Sequence, residues 1–390
     1  MTSLLHSTHA QAELEPTAAE HTPIQLLTPQ GELVESQENA PYRDLVAHLD
    51  ADVLRGMYRD MMFVRRFDNE ATSLQRQGEL ALYAPLRGQE AAQIGSGLAM
   101  RPTDMVFPSY REHGVAYTRG MDIVEILQLF RGVDHGGWDS FKHNFHLYTL
   151  VIGSHALHAT GYAMGFQRDA DLGIGEGDEA VIAYFGDGAT SQGDVSEALG
   201  FAAVNSAPIV FFVQNNQWAI SVPTHKQTKV PLYLRGEGFG VPGIRVDGND
   251  VLACYAATTI ALNRARAGQG PTLIEAVTYR MGAHTTSDDP TKYRSREEEA
   301  EWEAKDPIDR LRALLDSQNA WSEADEEALA VELDSYGEHV RNYVKSLGRP
   351  SATSMFENVY ATDHAIVSED RAWFERYESS FLDSEQGPNR

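Results

Sequence analysis

The chain has 390 residues, 42% of them hydrophobic, with a formal net charge of −25 and one cysteine, Cys254, which suits one large α/β domain with appended helices, or two modest domains. Such acidity argues against nucleic acid as a partner and favours a basic partner surface, and a lone cysteine excludes an internal disulfide and fits a reducing compartment. No apolar run approaches the roughly 20 residues of a membrane helix, and residues 1–42 carry no Lys or Arg, unlike a secretory signal or basic transit peptide, so a cytoplasmic protein away from membranes is expected.

Residues 1–41 mix Thr, Glu, Gln, His and Pro with few large apolar side chains and predict a mobile arm. Within it Ile24–Leu27 is apolar enough to dock on a neighbour. Asp50 is the predicted N-cap of a helix with Leu54, Met57, Tyr58, Met61 and Phe67 on its apolar side. A second helix is predicted over Gln89–Met100, and Met105–Phe107 reads as a strand. That strand runs into Pro108-Ser109-Tyr110-Arg111-Glu112-His113-Gly114. Arg111 therefore stands at a strand end, where a guanidinium can make the paired hydrogen bonds a phosphate accepts. Met121–Arg131 reads as an amphipathic helix. His135, His143, His146, His155 and His158 follow, with two HxxH spacings. No Cys or acid accompanies them at ligand spacing, so they read as core or loop histidines rather than a transition-metal site.

Residues 180–222 organise the rest. Ala180–Phe185 is an unbroken apolar run without helical period, which predicts a strand buried on both faces. It ends in Gly186-Asp187-Gly188, a turn that lets backbone approach a ligand while an acid points out. Gly193–Asn205 reads as a helix with Val195, Leu199 and Ala202 on one face. Pro208–Val213 is a second buried strand ending in Gln214-Asn215-Asn216. Strand, helix, strand is one right-handed crossover, so Asp187 and Asn216 meet at carboxyl ends of parallel strands, where open α/β sheets bind ligands. An acid and an amide brought together there suit Mg²⁺, which takes one or two protein carboxylates and completes its shell with phosphates and water. A dinucleotide fingerprint is excluded: Ser191 occupies the third glycine position and no acid follows at the ribose distance.

Further on, Gly243–Val246 and Pro271–Tyr279 predict two more buried strands joined by a helix over Asp250–Arg266. Arg280–Pro290 is a loop at the end of the last strand, and it carries His284. Ser322 opens a long helix with a stripe of Leu329, Leu333, Tyr336, Val340, Tyr343 and Leu347, stopped by Gly348-Arg349-Pro350. That stripe packs on its own domain or on another subunit. The aromatic residues of the acidic tail, Phe356, Tyr360, Trp373, Phe374 and Phe381, predict partial docking. The expected organisation is an arm over 1–41, an α/β domain over 42–320 and a helical extension over 321–390.

The pattern GDG, a crossover, then NN resembles the diphosphate-binding motif of thiamine diphosphate enzymes. Over roughly Tyr42–Tyr360 the chain is similar to the alpha subunit of the decarboxylating component of 2-oxo acid dehydrogenase complexes. The resemblance rests on LQRQGEL, YAPLRGQEA, FPSYREHG, IRVDGNDV, GPTLIEAVTYR and HTTSDDPTKYRSREE. It implies a parallel-sheet thiamine diphosphate-binding fold that carries the diphosphate-and-metal half of the site. Tyr110 and Arg111 are then diphosphate contacts, and Ser154 and Ala156 align with the segment whose backbone receives the aminopyrimidine. Gly186, Asp187, Gly188 and Ala189 form the phosphate turn; Asp187, Asn216 and the main-chain oxygen of Trp218 are the Mg²⁺ ligands. His284 is the candidate catalytic residue, between the cofactor phosphates and the channel of the acyl carrier, with an imidazole expected to exchange protons near neutral pH.

Two departures from the family stand out. His155, His158 and Ala159 replace the side chains with which animal branched-chain enzymes hold a monovalent cation. Gln214 replaces an arginine of those relatives. The family also implies a beta subunit that completes the site in an α₂β₂ particle, and a lipoyl acyltransferase that takes the acyl group. RVDGNDV, RMGAHTTSDDP and the continuation from Arg294 to Arg310 look closer to branched-chain enzymes than to pyruvate enzymes. The acetoin dehydrogenase alpha subunit shares most of these motifs.

Overall fold

Strands short enough to be crossed by a dozen helical residues, and apolar on both faces, can be covered only by helices on both sides. The computed structural model, which describes residues 22–382 apart from 135, 176 and 349, has that architecture. In chain order the strands are β1 (Met105–Phe107), β2 (Val181–Gly186), β3 (Ile209–Asn215), β4 (Trp218–Ala219), β5 (Val222–Pro223), β6 (Gly243–Asp247) and β7 (Thr272–Val277). Five form one parallel sheet in the order β1-β2-β3-β7-β6, and β4 and β5 make a small hairpin just beyond β3.

The alternation of β2 and β3 divides the interior in two. Ile182, Tyr184, Val210 and Phe212 point to a core shared with the helices Ala51–Arg76, Glu90–Leu98 and Val251–Arg266. Val181, Ala183, Phe185, Ile209, Phe211 and Val213 point the other way, to the helices His155–Asp171 and Gly193–Val204. The crossover after β2 moves the sheet in one direction, and the crossover after β6 returns toward it. The strand order therefore reverses between β3 and β7, and a crevice opens at their carboxyl ends.

Most predicted elements are present within a residue or two. Asp50 caps Ala51–Arg76 by accepting from Asp52 and Val53 N–H, each at 3.0 Å. Met121–Arg131 is not one α-helix: it is a 3-10 turn over Ile123–Ile126 followed by Leu127–Arg131. Ile123, Val124, Ile126 and Leu127 are all buried, so the segment is packed on more than one side and the single-stripe reading fails. The long helix Glu323–Ser346 lies on its own domain, burying Leu329, Leu333, Val340 and Val344 and pairing Arg66 with Asp334 and Arg341 with Glu70. The tail differs from expectation. Helix Ala365–Leu382 packs Phe374 at a tilt against Phe356, ring centroids 5.6 Å apart, but leaves Trp373, Tyr377 and Phe381 exposed.

A mobile arm over 1–41 does not describe residues 22–41, while residues 1–21 lie outside the described residues. Ile24 bridges to Val246 as an extra parallel partner at the edge of β6, and Leu26 and Leu27 are buried in the same chain rather than on a neighbour. The cause is Asp250. Its carboxylate caps the helix Val251–Arg266 through Leu252 and Ala253 N–H, each at 3.0 Å, and its second oxygen accepts from Leu26 and Leu27 N–H, each at 2.6 Å. At the opposite edge Val106 bridges to Phe145. Replacing Asp250 with Ala would strand four buried donors, so a loss of about 3 kcal/mol or more is expected in denaturant unfolding. Asp250→Asn, which keeps one acceptor oxygen, should lose less, and early proteolytic cleavage near residues 22–34 should accompany both changes.

Candidate active site

Four strand ends meet at the crevice. β1 delivers Ser109–Glu112, β2 delivers Gly186–Ala189, β3 delivers Gln214–Trp218, and β7 leads through Tyr279 to the loop with His284. Together with the turn at Ile152–His155 they enclose a cavity of about 250 Å³. Tyr110, Arg111, Gly186, Asp187, Gly188, Ala189, Asn216, Trp218 and His284 all line it. Ser154 and Ala156 do not. Ser154 Oγ donates back to Val151 O at 3.0 Å, and Ala156 is fully buried in the first turn of its helix, its N–H bonded to Gly153 O. Their neighbours Ile152, Gly153 and His155 form that wall instead.

Asp187 lines the cavity and has no ion-pair partner among the described residues, although Arg280 acts on it through space. Asp187 is 2% exposed, and its Oδ2 accepts from Gln227 Nε2 at 2.6 Å and Thr224 Oγ1 at 3.2 Å. Both donors are neutral. Burial pushes the carboxyl pKa up, and the Gln227 and Thr224 bonds counter this in part. The glycines beside Asp187 have different tasks. A Cβ on Gly188 would come within 2.8 Å of Ala219 Cβ, so this glycine admits the β4 hairpin. A Cβ on Gly186 would find nothing nearer than Gln214 O at 4.0 Å, so there it is the cavity that a side chain would fill.

Two guanidiniums flank His284, and one of them, Arg111, lines the cavity. Arg111 is 5% and Arg280 0% exposed. Arg111 donates to Pro85 O and, from Nη2, to His284 O at 2.8 Å. Arg280 donates to Trp218 O at 3.0 Å, Ile220 O at 2.8 Å and Tyr293 Oη at 2.8 Å. Among the described residues neither guanidinium lies within ion-pair distance of a carboxylate. His284 Nδ1 sits between them, 3.3 Å from Arg111 Nη2 and 3.4 Å from Arg280 Nη1. Guanidinium nitrogens only donate, so Nδ1 is the acceptor and the imidazole proton is on Nε2. Burial first, then Arg111 and Arg280, pushes the His284 pKa down to about 3, against a smaller upward pull from Asp288. His284 is therefore neutral at pH 7 in the free chain. The expectation of an unpartnered imidazole titrating near neutrality is corrected by these two neighbours.

Several site residues escaped the sequence reading. Glu112, His155 and Gln89, the residue before the helix Glu90–Leu98, line the cavity, and Gln93 on that helix bonds to Gln214, which lines it too. Gln214, noted only as a lost phosphate contact, donates to Glu112 Oε1 at 2.7 Å and accepts from Gln93 at 2.9 Å. His155 donates from Nε2 to Tyr184 O at 2.7 Å and so ties the Ile152–His155 turn to β2. Glu112 and Gln89 lay inside the quoted runs YREHG and RGQEA, but adjacency gave no hint that they turn inward.

Residues 58–352 match the family described as Dehydrogenase E1 component. The chain belongs to that family. An alpha subunit of 3-methyl-2-oxobutanoate dehydrogenase from Mycobacterium tuberculosis strain H37Rv is 47% identical over 340 residues, 87% of this chain and 89% of that protein. The alpha subunit of the pyruvate dehydrogenase E1 component from Acholeplasma laidlawii is 41% identical over 316 residues, 80% of this chain and 90% of that one. Its counterpart in Staphylococcus aureus strain N315 is 40% identical over 297 residues, covering 75% and 78%. No helix among the described residues of this E1 chain is long and apolar enough to cross a membrane.

The depressed pKa of His284 gives a direct check. Its contribution to stability is present above the unfolded value near 6.5 and is lost as pH falls from there toward 3. In NMR titration of histidine-labelled protein, the resonance missing from a His284→Asn variant should stay in its neutral position down to about pH 4. Adding inorganic pyrophosphate should raise its pKa, because an anion at Arg111 offsets the repulsion.

Proposed function

We propose that the chain is the alpha subunit of a thiamine diphosphate-dependent 2-oxo acid dehydrogenase acting on branched-chain 2-oxo acids. The observation that carries this reading is one cavity lined by a buried acid, Asp187, and a buried guanidinium, Arg111, neither in an ion pair among the described residues. Buried unmatched charges of both signs are costly. A diphosphate complexed to Mg²⁺ matches both at once.

The residues present fit such a group. Asp187, Asn216 through Oδ1 and Trp218 through its main-chain oxygen would hold Mg²⁺, with phosphate and water completing about six oxygens. Trp218 O already accepts from Arg280, and its second lone pair remains for the metal. Arg111, Tyr110 and the Nε2–H of His284 would bind the phosphates, and Gly186 leaves the room they need. The resemblance assigns Ser154 and Ala156 to the aminopyrimidine through their backbone. Since the Ala156 N–H is already bonded to Gly153 O, the turn would have to open slightly or offer its carbonyls instead.

Thiamine diphosphate, when bound, supplies the electron sink for decarboxylation of a 2-oxo acid. The chain's own residues supply placement. Arg111 would hold the anionic end, Asp187 and Asn216 would hold its metal, and the Tyr110 ring stands edge-on to His284 at 6.3 Å. Anion binding between the guanidiniums lifts the His284 pKa toward neutrality, which brings it to a state able to pass a proton during acyl transfer to a lipoyl group.

Ile152 and Ile220 line the cavity and are exposed in the single chain, as are Leu150 and Val151, which precede Ile152. Such a patch beside a site supports a covering partner, which in our reading is a beta subunit in an α₂β₂ particle that serves a lipoyl acyltransferase in the cytoplasm. Branched-chain substrates are favoured because the 47%-identical relative bears that name. The pyruvate reading stands second, on relatives at 41% and 40%, and acetoin third.

Assembled with its beta subunit, the protein should turn over branched-chain 2-oxo acids faster than pyruvate or acetoin in a substrate panel. A preference for pyruvate would replace the first reading with the second. Asp187→Ala should abolish calorimetric binding of thiamine diphosphate with Mg²⁺ while circular dichroism stays unchanged. Undiminished affinity in that variant would remove the metal site, and 2-oxo acid decarboxylation by this chain alone would remove the need for a partner.

A further inference from the structure

Asn216 can present either an oxygen or an NH₂ group to a cation, and only the oxygen binds one. What decides the orientation is a short chain of hydrogen bonds whose two ends have no ambiguity. At one end Gln89 Nε2 donates to Leu86 O at 3.2 Å. A main-chain carbonyl only accepts, so the Gln89 amide must turn its Oε1 the other way. That oxygen accepts from Asn216 Nδ2 at 3.1 Å. At the far end the Trp218 N–H, which only donates, meets Asn216 Oδ1 at 3.3 Å. Gln89 is 1% and Asn216 6% exposed, so bulk water is not there to substitute for a lost partner. Flipping Asn216 would set its NH₂ against the Trp218 N–H and its oxygen against Gln89 Oε1.

The same device recurs one helical turn on. Gln93 is fixed by Gly114 N–H on its oxygen at 2.8 Å and by Arg111 O on its nitrogen at 3.0 Å, and it turns the Gln214 amide so that its nitrogen meets Glu112. Gln89 and Gln93 are four residues apart, and Gln214 and Asn216 two, so one face of a helix addresses one face of a strand end.

We propose that Gln89 is a positioning residue that sets the Asn216 amide with its oxygen toward the metal. The inference rests on Asn216 being a metal ligand, and the test keeps the two apart. Mn²⁺ serves as the probe, titrated by the loss of its free electron paramagnetic resonance signal into the chain assembled with its beta subunit at saturating thiamine diphosphate. Gln89→Met keeps the volume and removes the acceptor, and should weaken Mn²⁺ binding about tenfold. Gln89→Glu keeps an oxygen facing Asn216 and should stay within about threefold of the unaltered protein. Asn216→Asp carries oxygen on both ends, so in that background the further change Gln89→Met should cost nothing.

A tenfold loss that persists in the Asn216→Asp background would overturn the proposal, because Gln89 would then support the fold rather than the amide. So would a Gln89→Glu protein as weak as Gln89→Met is expected to be, or a Gln89→Met protein as tight as the original. Failure of the unaltered protein to bind Mn²⁺ would instead take down the metal reading together with this one.

Discussion

Opposite charges that meet in one crevice without forming an ion pair are the constraint on which this structure turns. Asp187 sits at the end of β2 with neutral donors, and Arg111 and Arg280 sit at the ends of β1 and β7 with carbonyls and hydroxyls. Direct pairing would have been the easy way to stabilise them. They stand at the ends of different strands, and among the described residues no ion pair joins them, although Arg280 acts on Asp187 through space. What each charge lacks, a ligand of mixed sign can bring. The unfavourable electrostatics of the free chain are thus a form of preorganisation, since the binding groups need not leave each other first.

The sheet order makes this separation possible. Reversal of direction between β3 and β7 spreads four strand ends around one crevice instead of stacking them behind helices. Neutral amides then fill the ground between the charges. Gln93, Gln214 and Ser109 surround Glu112, whose pKa is raised by burial and held down in part by the Ser109 bond. This second acid also lines the cavity, and Arg111 lowers its pKa in part. Gln214 matters in this respect: it gives Glu112 a neutral amide donor.

Much of the fold was legible in the sequence because the buried strands are continuous apolar runs and their ends are short polar motifs. Ala180–Phe185 with GDG, and Pro208–Val213 with NN, locate the site almost unaided. What was hidden depends on contacts between distant segments. Nothing near Ile24–Leu27 announces that its partner is Asp250, more than two hundred residues away. His284 read as a free imidazole because Arg111 and Arg280 come to it from another strand and from across the loop. The all-round burial of Ile123–Leu127 likewise defeats a periodicity argument, which assumes one wet face. The aromatic tail was expected to dock on composition alone, yet apolar residues do not say which surface they are meant to cover.

The two bridges at the sheet margins have a consequence of their own. An open five-strand sheet normally presents an unpaired row of N–H and C=O groups at each side, a template on which another chain can continue the ladder. Here Ile24 lies against Val246 on one side and Phe145 against Val106 on the other. Both are single-residue pairings made by irregular segments that cannot themselves propagate a strand. Each pairing occupies part of its edge and so hinders growth by strand addition there, into a continuous intermolecular sheet or a fibre. These margins favour assembly through helices and loops, side chain against side chain, where shape and charge rather than backbone pairing choose the companion.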